Sequence, residues 1–160
     1  MDQFVSTFTN KIDAKGRVSV PATFRAVLAR EGGEGIFCYP SLDSDALDAG
    51  GNRLVKTIDD LLQSIAPYSD ERDQLSTALY GESEILKLDK DGRTMLPKRL
   101  REFSGITDKV TFVGLGDKFQ VWQPEKFELH RARARQKVKE LRKLFGAGNR
   151  LQGGSERGQE

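Results

Sequence analysis

The sequence predicts an α+β fold, rich in β-strand, built from two tandem repeats with flanking helices. Three observations predict it. Asp13-Ala14-Lys15-Gly16-Arg17 followed by Pro21 returns as Asp89-Lys90-Asp91-Gly92-Arg93 followed by Pro97, each member displaced by 76 positions (89 − 13). Each copy carries the same succession of strand, tight turn, strand and helix signals. Two amphipathic stretches, residues 52–80 and 127–145, lie outside the copies with apolar residues at helical spacing. In the aligned windows Ile12 to Arg25 and Leu88 to Arg101, the identical residues are Asp, Gly, Arg, Pro and a second Arg, at Arg25 and Arg101. Two copies of one unit can form the halves of a pseudo-symmetric fold, and whatever the turn does is then done twice.

In the first copy Val5 to Ile12 reads as extended, Gly16 marks a tight turn, and Val18-Ser19-Val20 alternates as a second strand. Pro21, lacking an amide proton and with φ preset, stops that strand and opens a helix over Ala22 to Arg30, with Phe24, Val27 and Leu28 inward. Ile36 to Tyr39 is a third strand. Its mate falls in Asp45 to Gly51, which lacks aromatics and shares Asp45 and Asp48 with a local acidic run from Asp43, so a short, irregular or edge-like strand is expected.

Residues 52–80 read as two helices, with Leu54, Ile58, Leu61, Leu62 and Ile65 on one stripe, a break at Pro67 and a restart near Ser69 that ends at Gly81. The stripe is expected to pack on the strands; a contact between subunits is the second reading. The second copy runs Ile85 to Leu88 extended, Gly92 at the turn and Thr94 to Leu96 extended. Pro97 then opens a helix with Leu100 and Phe103 inward, and Gly105 closes it. Val110 to Val113 and Phe119 to Trp122 flank a glycine-containing loop and form a hairpin. Phe127 to Phe145 is a helix with Phe127, Ala134, Val138, Leu141 and Phe145 on one stripe and Arg or Lys over much of the rest. It is expected to end at Gly146, and five glycines in the last fifteen residues predict a flexible tail. The basic face has two readings, a solvated surface or an auxiliary phosphate contact.

At 160 residues the chain can bury a core, and one compact domain made of both repeats fits better than two. Net charge is only +2, but residues 1–125 carry 16 Lys or Arg against 20 Asp or Glu, and residues 126–160 carry 10 against 4. Bulk charge therefore neither demands nor excludes DNA. The lone Cys38 sits in an apolar run, which points to a buried thiol and a reducing compartment. There is no apolar run of membrane-span length, and Met1 to Asn10 has neither the basic start nor the apolar core of a secretion signal. No membrane or small-molecule substrate is expected.

Enzyme readings fare badly. His130, the only histidine, lies on a basic helix, so nucleophile–base arrangements and His/Cys metal sites lack their parts; no catalytic residue, metal or cofactor is expected. Gly114-x-Gly116 is explained by a hairpin turn more simply than by a phosphate loop.

A charged turn is ordinary on a surface. Its recurrence with arginine in both copies is not explained by turn geometry, which needs glycine and aspartate but has little use for a guanidinium. Arginine offers a planar donor fork that matches phosphate oxygens and the O6 and N7 acceptors of guanine. Each Asp, four residues before its Arg, can accept from that fork or from turn amides and fix it in advance.

At these residues the sequence resembles MraZ, a family of bacterial transcriptional regulators with two tandem SpoVT/AbrB-like modules. Both Asp-x-x-x-Arg turns, the Pro after each, and Gly114-Leu115-Gly116-Asp117-Lys118-Phe119-Gln120-Val121-Trp122 carry the resemblance. It implies a swapped-hairpin β-barrel assembled from a first module (residues 4–51) and a second module (81–127), joined by a helical connector (52–80) and followed by a basic helix and flexible tail (128–160). It also implies a cytoplasmic, nucleoid-associated homo-oligomeric ring that binds direct repeats in double-stranded promoter DNA near the cell-division and cell-wall gene cluster. The implied DNA-contacting set is Asp13, Lys15, Gly16 and Arg17 with Asp89, Lys90, Gly92 and Arg93. This chain departs from an even repeat at Asp91, where the first turn has Lys15, and at Ala46 to Ala49, where the second copy has aromatics. A protein-interaction module whose Asp/Arg pairs are structural salt bridges, and an antitoxin-like AbrB protein, are the competing readings.

Overall fold

The computed structural model describes the backbone of residues 1–157 and the side chains of residues 1–146. Residues 1–124 form one compact unit, and residues 125–160 a second. The first unit contains strands β1 (Thr7–Lys11), β2 (Arg17–Ser19), β3 (Ile36–Pro40) and β4 (Leu47–Gly50) in the first copy. Strands β5 (Glu84–Leu86), β6 (Arg93–Met95), β7 (Lys109–Gly114) and β8 (Phe119–Trp122) belong to the second. Helix α1 (Ala22–Glu31) follows β2, and α4 (Lys98–Ser104) follows β6. Between the copies lie α2 (Asn52–Gln63), α3 (Asp70–Ser76) and a π-helical turn, Thr77–Gly81.

The strands make a six-stranded antiparallel sheet in the order β1-β7-β8-β4-β3-β5 and a separate two-stranded ribbon, β2-β6. Every pairing in the large sheet that involves β1 or β5 crosses between copies: β1 lies on β7, with Thr9 opposite Thr111, and β5 on β3, with Phe37 opposite Ile85. The hairpins β3-β4 and β7-β8 meet through β4 and β8. The sheet is open along β1 and β5, so these pairings do not close a barrel.

Helices α1 and α4 start as expected at Pro21 and Pro97 and end at Gly32 and Gly105, whose φ values of 78° and 73° are left-handed and stop each helix without a Cβ penalty. Phe24 and Leu100, at the same step of the two helices, are fully buried in one core drawn from both copies. Phe24 sits among Phe4, Phe8, Phe112 and Phe119 at centroid distances of 5.3, 5.6, 6.4 and 4.9 Å. Phe103, expected inward, is exposed: α4 has only two turns, and the stripe that faces the core takes Leu100 and Ser104.

Strand β4 corrects another expectation. It is short, but it lies inside the sheet between β3 and β8, with all four residues buried. Its small residues reflect the close approach of α2; a Cβ on Gly50 would lie 2.9 Å from Leu54 Cβ. Its aspartate is paired. Asp48 accepts from Lys118 Nζ at 2.9 Å, Gln120 Nε2 at 2.9 Å and the Tyr39 hydroxyl at 3.2 Å, so its charge is satisfied where an unpaired one would be costly. Burial and the adjacent Asp48 carboxylate push the Tyr39 hydroxyl above its ordinary range.

Leu54, Ile58 and Leu62 of α2 pack with Tyr39 and Leu79 in a second core, the packing expected of that stripe. Leu61, placed on the same stripe, is exposed, because 54, 58 and 62 already fill the inward arc at intervals of four. Ser69 caps α3 by accepting from the Arg72 amide. Gly114 donates its amide to Ser6, and Gly116, with φ of 91°, turns the β7–β8 hairpin.

The second unit is helical. Helix α5 (Pro124–Arg157) runs past Gly146, where an end was expected. Glycine inside a helix costs about 1 kcal/mol but ends it only when the backbone turns left-handed. Of the expected flexible tail, residues 158–160 lie outside the described residues. Val138, Leu141 and Phe145 of its apolar stripe are exposed. No helix among the described residues is long and apolar enough to cross a membrane.

Candidate nucleic-acid interface

The two recurrent turns sit at the two ends of the β2-β6 ribbon, and the ribbon is two-fold symmetric. Val18 pairs with Thr94, its own repeat equivalent, flanked by Arg17 opposite Met95 and Ser19 opposite Arg93. Alternation does the rest: Val18 and Thr94 point into the core, while Arg17, Ser19, Arg93 and Met95 share the outer face. The forks thus face the same way, and both line a depression of about 400 Å³ with Lys11, Asp13 and Ser19.

Within each turn the aspartate organises the backbone first and the arginine second. Asp13 Oδ1 accepts the amides of Lys15 and Arg17 at 2.9 Å each, and Oδ2 accepts Arg17 Nε at 2.8 Å. Asp89 repeats this with the amides of Asp91 and Arg93 at 2.9 Å and Arg93 Nε at 3.3 Å. These bonds hold both carboxyls below their ordinary value of 3.8, the Arg17 and Arg93 backbone amides contributing most. Only Nε of each guanidinium is spent on its aspartate, so the outer nitrogens of Arg17, at 46% side-chain exposure, remain open to a ligand. In the second turn Asp91 Oδ2 also reaches Arg93 Nη2 at 3.5 Å, so that fork is held by two acids. Lys15 and Lys90 are exposed and have no ion-pair partner among the described residues.

Gly16 and Gly92 take φ of 89° and 77°, as the tight turns require. They are also contact points between copies. The Gly92 carbonyl accepts from the Val20 amide at 3.0 Å and the Gly16 carbonyl from the Leu96 amide at 2.8 Å. Arg25 and Arg101, which the repeat singles out but to which sequence reasoning assigned no role, lie against these glycines. A Cβ on Gly92 would fall 2.6 Å from Arg25 Cζ, and one on Gly16 would fall 3.1 Å from Arg101 Nε. Met95 was also missed. Its signal was its place two residues after Arg93, on the same strand face.

Residues 79–143 match the sequence model of the family described as "MraZ protein, putative antitoxin-like". A relative from Xanthobacter autotrophicus is 55% identical over 147 residues, spanning 92% of this chain and 94% of its own. One from Beijerinckia indica is 56% identical, spanning 92% and 90%. One from Parvibaculum lavamentivorans is 45% identical, spanning 98% and 100%. The chain belongs to the MraZ family. All three of these MraZ relatives carry the name transcriptional regulator. The MraZ match extends across both copies and through the turns that build the ribbon.

Proposed function

We propose that this chain is a sequence-specific DNA-binding transcriptional regulator without catalytic activity, working as a ring-shaped homo-oligomer on direct repeats in promoter DNA. The observation that carries the reading is the β2-β6 ribbon, whose solvent face presents two arginine forks already oriented by carboxylates. A two-stranded ribbon fits the major groove, and a bidentate arginine matches guanine O6 and N7. The contact set is Asp13, Lys15, Gly16, Arg17, Asp89, Lys90, Gly92 and Arg93, with the aspartates and glycines shaping the edge and the cations meeting DNA. The name shared by the relatives supports regulation.

The finer parts of the proposal rest on the resemblance and on physical need. The crossing of β1 and β5 between copies supports a swapped-hairpin arrangement. A ring is supported by the small number of cations on each ribbon, since linked copies gain affinity through effective concentration. The cell-division and cell-wall gene cluster, in the cytoplasm and at the nucleoid, is the proposed place of action.

The test is footprinting and anisotropy titration on the DNA upstream of the protein's own gene against unrelated DNA, at two salt concentrations. Spaced protected repeats and a specific affinity well above the non-specific one are expected. Equal affinity for both DNAs would refute the proposal. It would favour the rival in which the Asp13–Arg17 and Asp89–Arg93 ion pairs only lock the fold of a protein-interaction module.

A further inference from the structure

We propose that Arg25 and Arg101 are positioning residues that work across the repeat, each holding the DNA-facing turn of the opposite copy. The inference rests on the reading of the turns given above. Arg25 leaves α1 and donates Nε to the Val20 carbonyl at 3.1 Å; the Val20 amide donates to the Gly92 carbonyl; and the Arg25 guanidinium packs against Gly92. Arg101 leaves α4 and does the same with the Leu96 carbonyl at 3.0 Å, the Leu96 amide and Gly16. The circuit occurs twice, with equivalent atoms, and in both cases it ends on the other copy's turn. Each glycine sits directly before the arginine proposed to face DNA, so the guanidinium packed against Gly92 limits how Arg93 leaves the turn, and the one packed against Gly16 limits Arg17.

The chain keeps these two arginines while changing their neighbours. Thr23, Phe24 and Ala26 around Arg25 become Arg99, Leu100 and Glu102 around Arg101. Helix propensity and core packing thus tolerate variation at this step, whereas the cross-copy contact needs a planar group with an Nε–H. Lysine retains the charge but has neither. An arginine serving only its own copy would show no such crossing.

The experiment uses the full-length assembly. Hydrogen exchange read by mass spectrometry on peptides covering residues 13–17 and 89–93 is compared for wild type, Arg25→Ala and Arg101→Ala, without DNA. Arg101→Ala should speed exchange mainly in 13–17, and Arg25→Ala mainly in 89–93. Faster exchange in the same copy, or an equal rise in both, would overturn the proposal. DNA affinity then supplies a double-mutant cycle. Arg101→Ala should weaken specific binding by at least about twofold, the low end for groups sharing a contact, and much of that loss should vanish in an Arg17→Ala background but persist with Arg93→Ala. Loss of affinity that ignores the Arg17 background would refute the coupling. Arg101→Lys should fail to rescue; full rescue would mean the residue acts through charge alone. If an alanine variant does not fold, the lysine variant carries the exchange measurement. If neither turn reads DNA, Arg17→Ala and Arg93→Ala leave affinity unchanged while the exchange pattern still reports the positioning, so the two failures are distinguishable.

Discussion

At the scale of single residues, the proposed interface is built on an aspartate that spends its two oxygens differently. Oδ1 serves the turn backbone and Oδ2 the guanidinium Nε, which leaves the outer nitrogens of Arg17 for the proposed DNA contact. Replacing Arg17 by Ala should weaken specific DNA binding by about 1 to 3 kcal/mol per engaged copy, with the far-ultraviolet circular dichroism unchanged; an anisotropy titration checks it. The two turns should not be equal. Lys15→Ala should reduce the salt slope of binding, whereas Asp91→Ala should leave affinity equal or slightly better, because it removes an acid that competes for Arg93. The pH response follows from the lowered aspartate carboxyls. A depressed folded pKa contributes stability above the unfolded value near 3.8, and that contribution is lost as pH falls through the folded value. These groups should therefore leave turn order flat from neutral pH down to about pH 4 and release it below. Carboxyl chemical shifts of Asp13 and Asp89 in an NMR titration would show midpoints below 3.8.

At the scale of elements, each copy's helix closes over its own strand and also over the other copy's hairpin. Phe24 brings together rings from β1, β7 and β8, so Phe24→Ala should cost about 3 to 5 kcal/mol in denaturant unfolding. Cys38, buried on β3, has its thiol pushed up to about 12 by burial first, and should resist a thiol reagent until the protein is unfolded. Strands and helices punctuated by Pro21, Pro97 and Gly105 were legible because these residues restrict or free φ locally. The short strand β4 was legible but its place inside the sheet was not, because that depends on what lies opposite it. Asp48 reads as part of an acidic run on an edge-like strand until Lys118, Gln120 and Tyr39 are brought to it from elsewhere in the chain. The turn residues were legible as a set through recurrence. The work of Arg25 and Arg101 was hidden, since their partners lie in the opposite repeat and sequence spacing carries no sign of them.

At the scale of the whole molecule, one ribbon offers few cations, and the assembly is expected to be the binding unit. Its mass by light scattering should be several times the 17.9 kDa of the chain. Inserting about 5 base pairs between two target repeats, roughly half a helical turn, should rotate one site off the protein and sharply weaken binding, while a full turn should restore part of it. A monomer that binds one isolated repeat as tightly as an array would refute multivalency. The crossing of β1 to β7 also has a temporal side. Lys11 is paired to Lys109, so β1 has no partner until roughly 100 further residues have been made. At about 5 to 20 residues per second, the nascent chain spends roughly 5 to 20 s with that strand unmatched. During synthesis the first copy is thus an incomplete sheet with a bare edge, open to chaperones or to the nascent first copy on a neighbouring ribosome, and native pairing waits for the second copy to emerge.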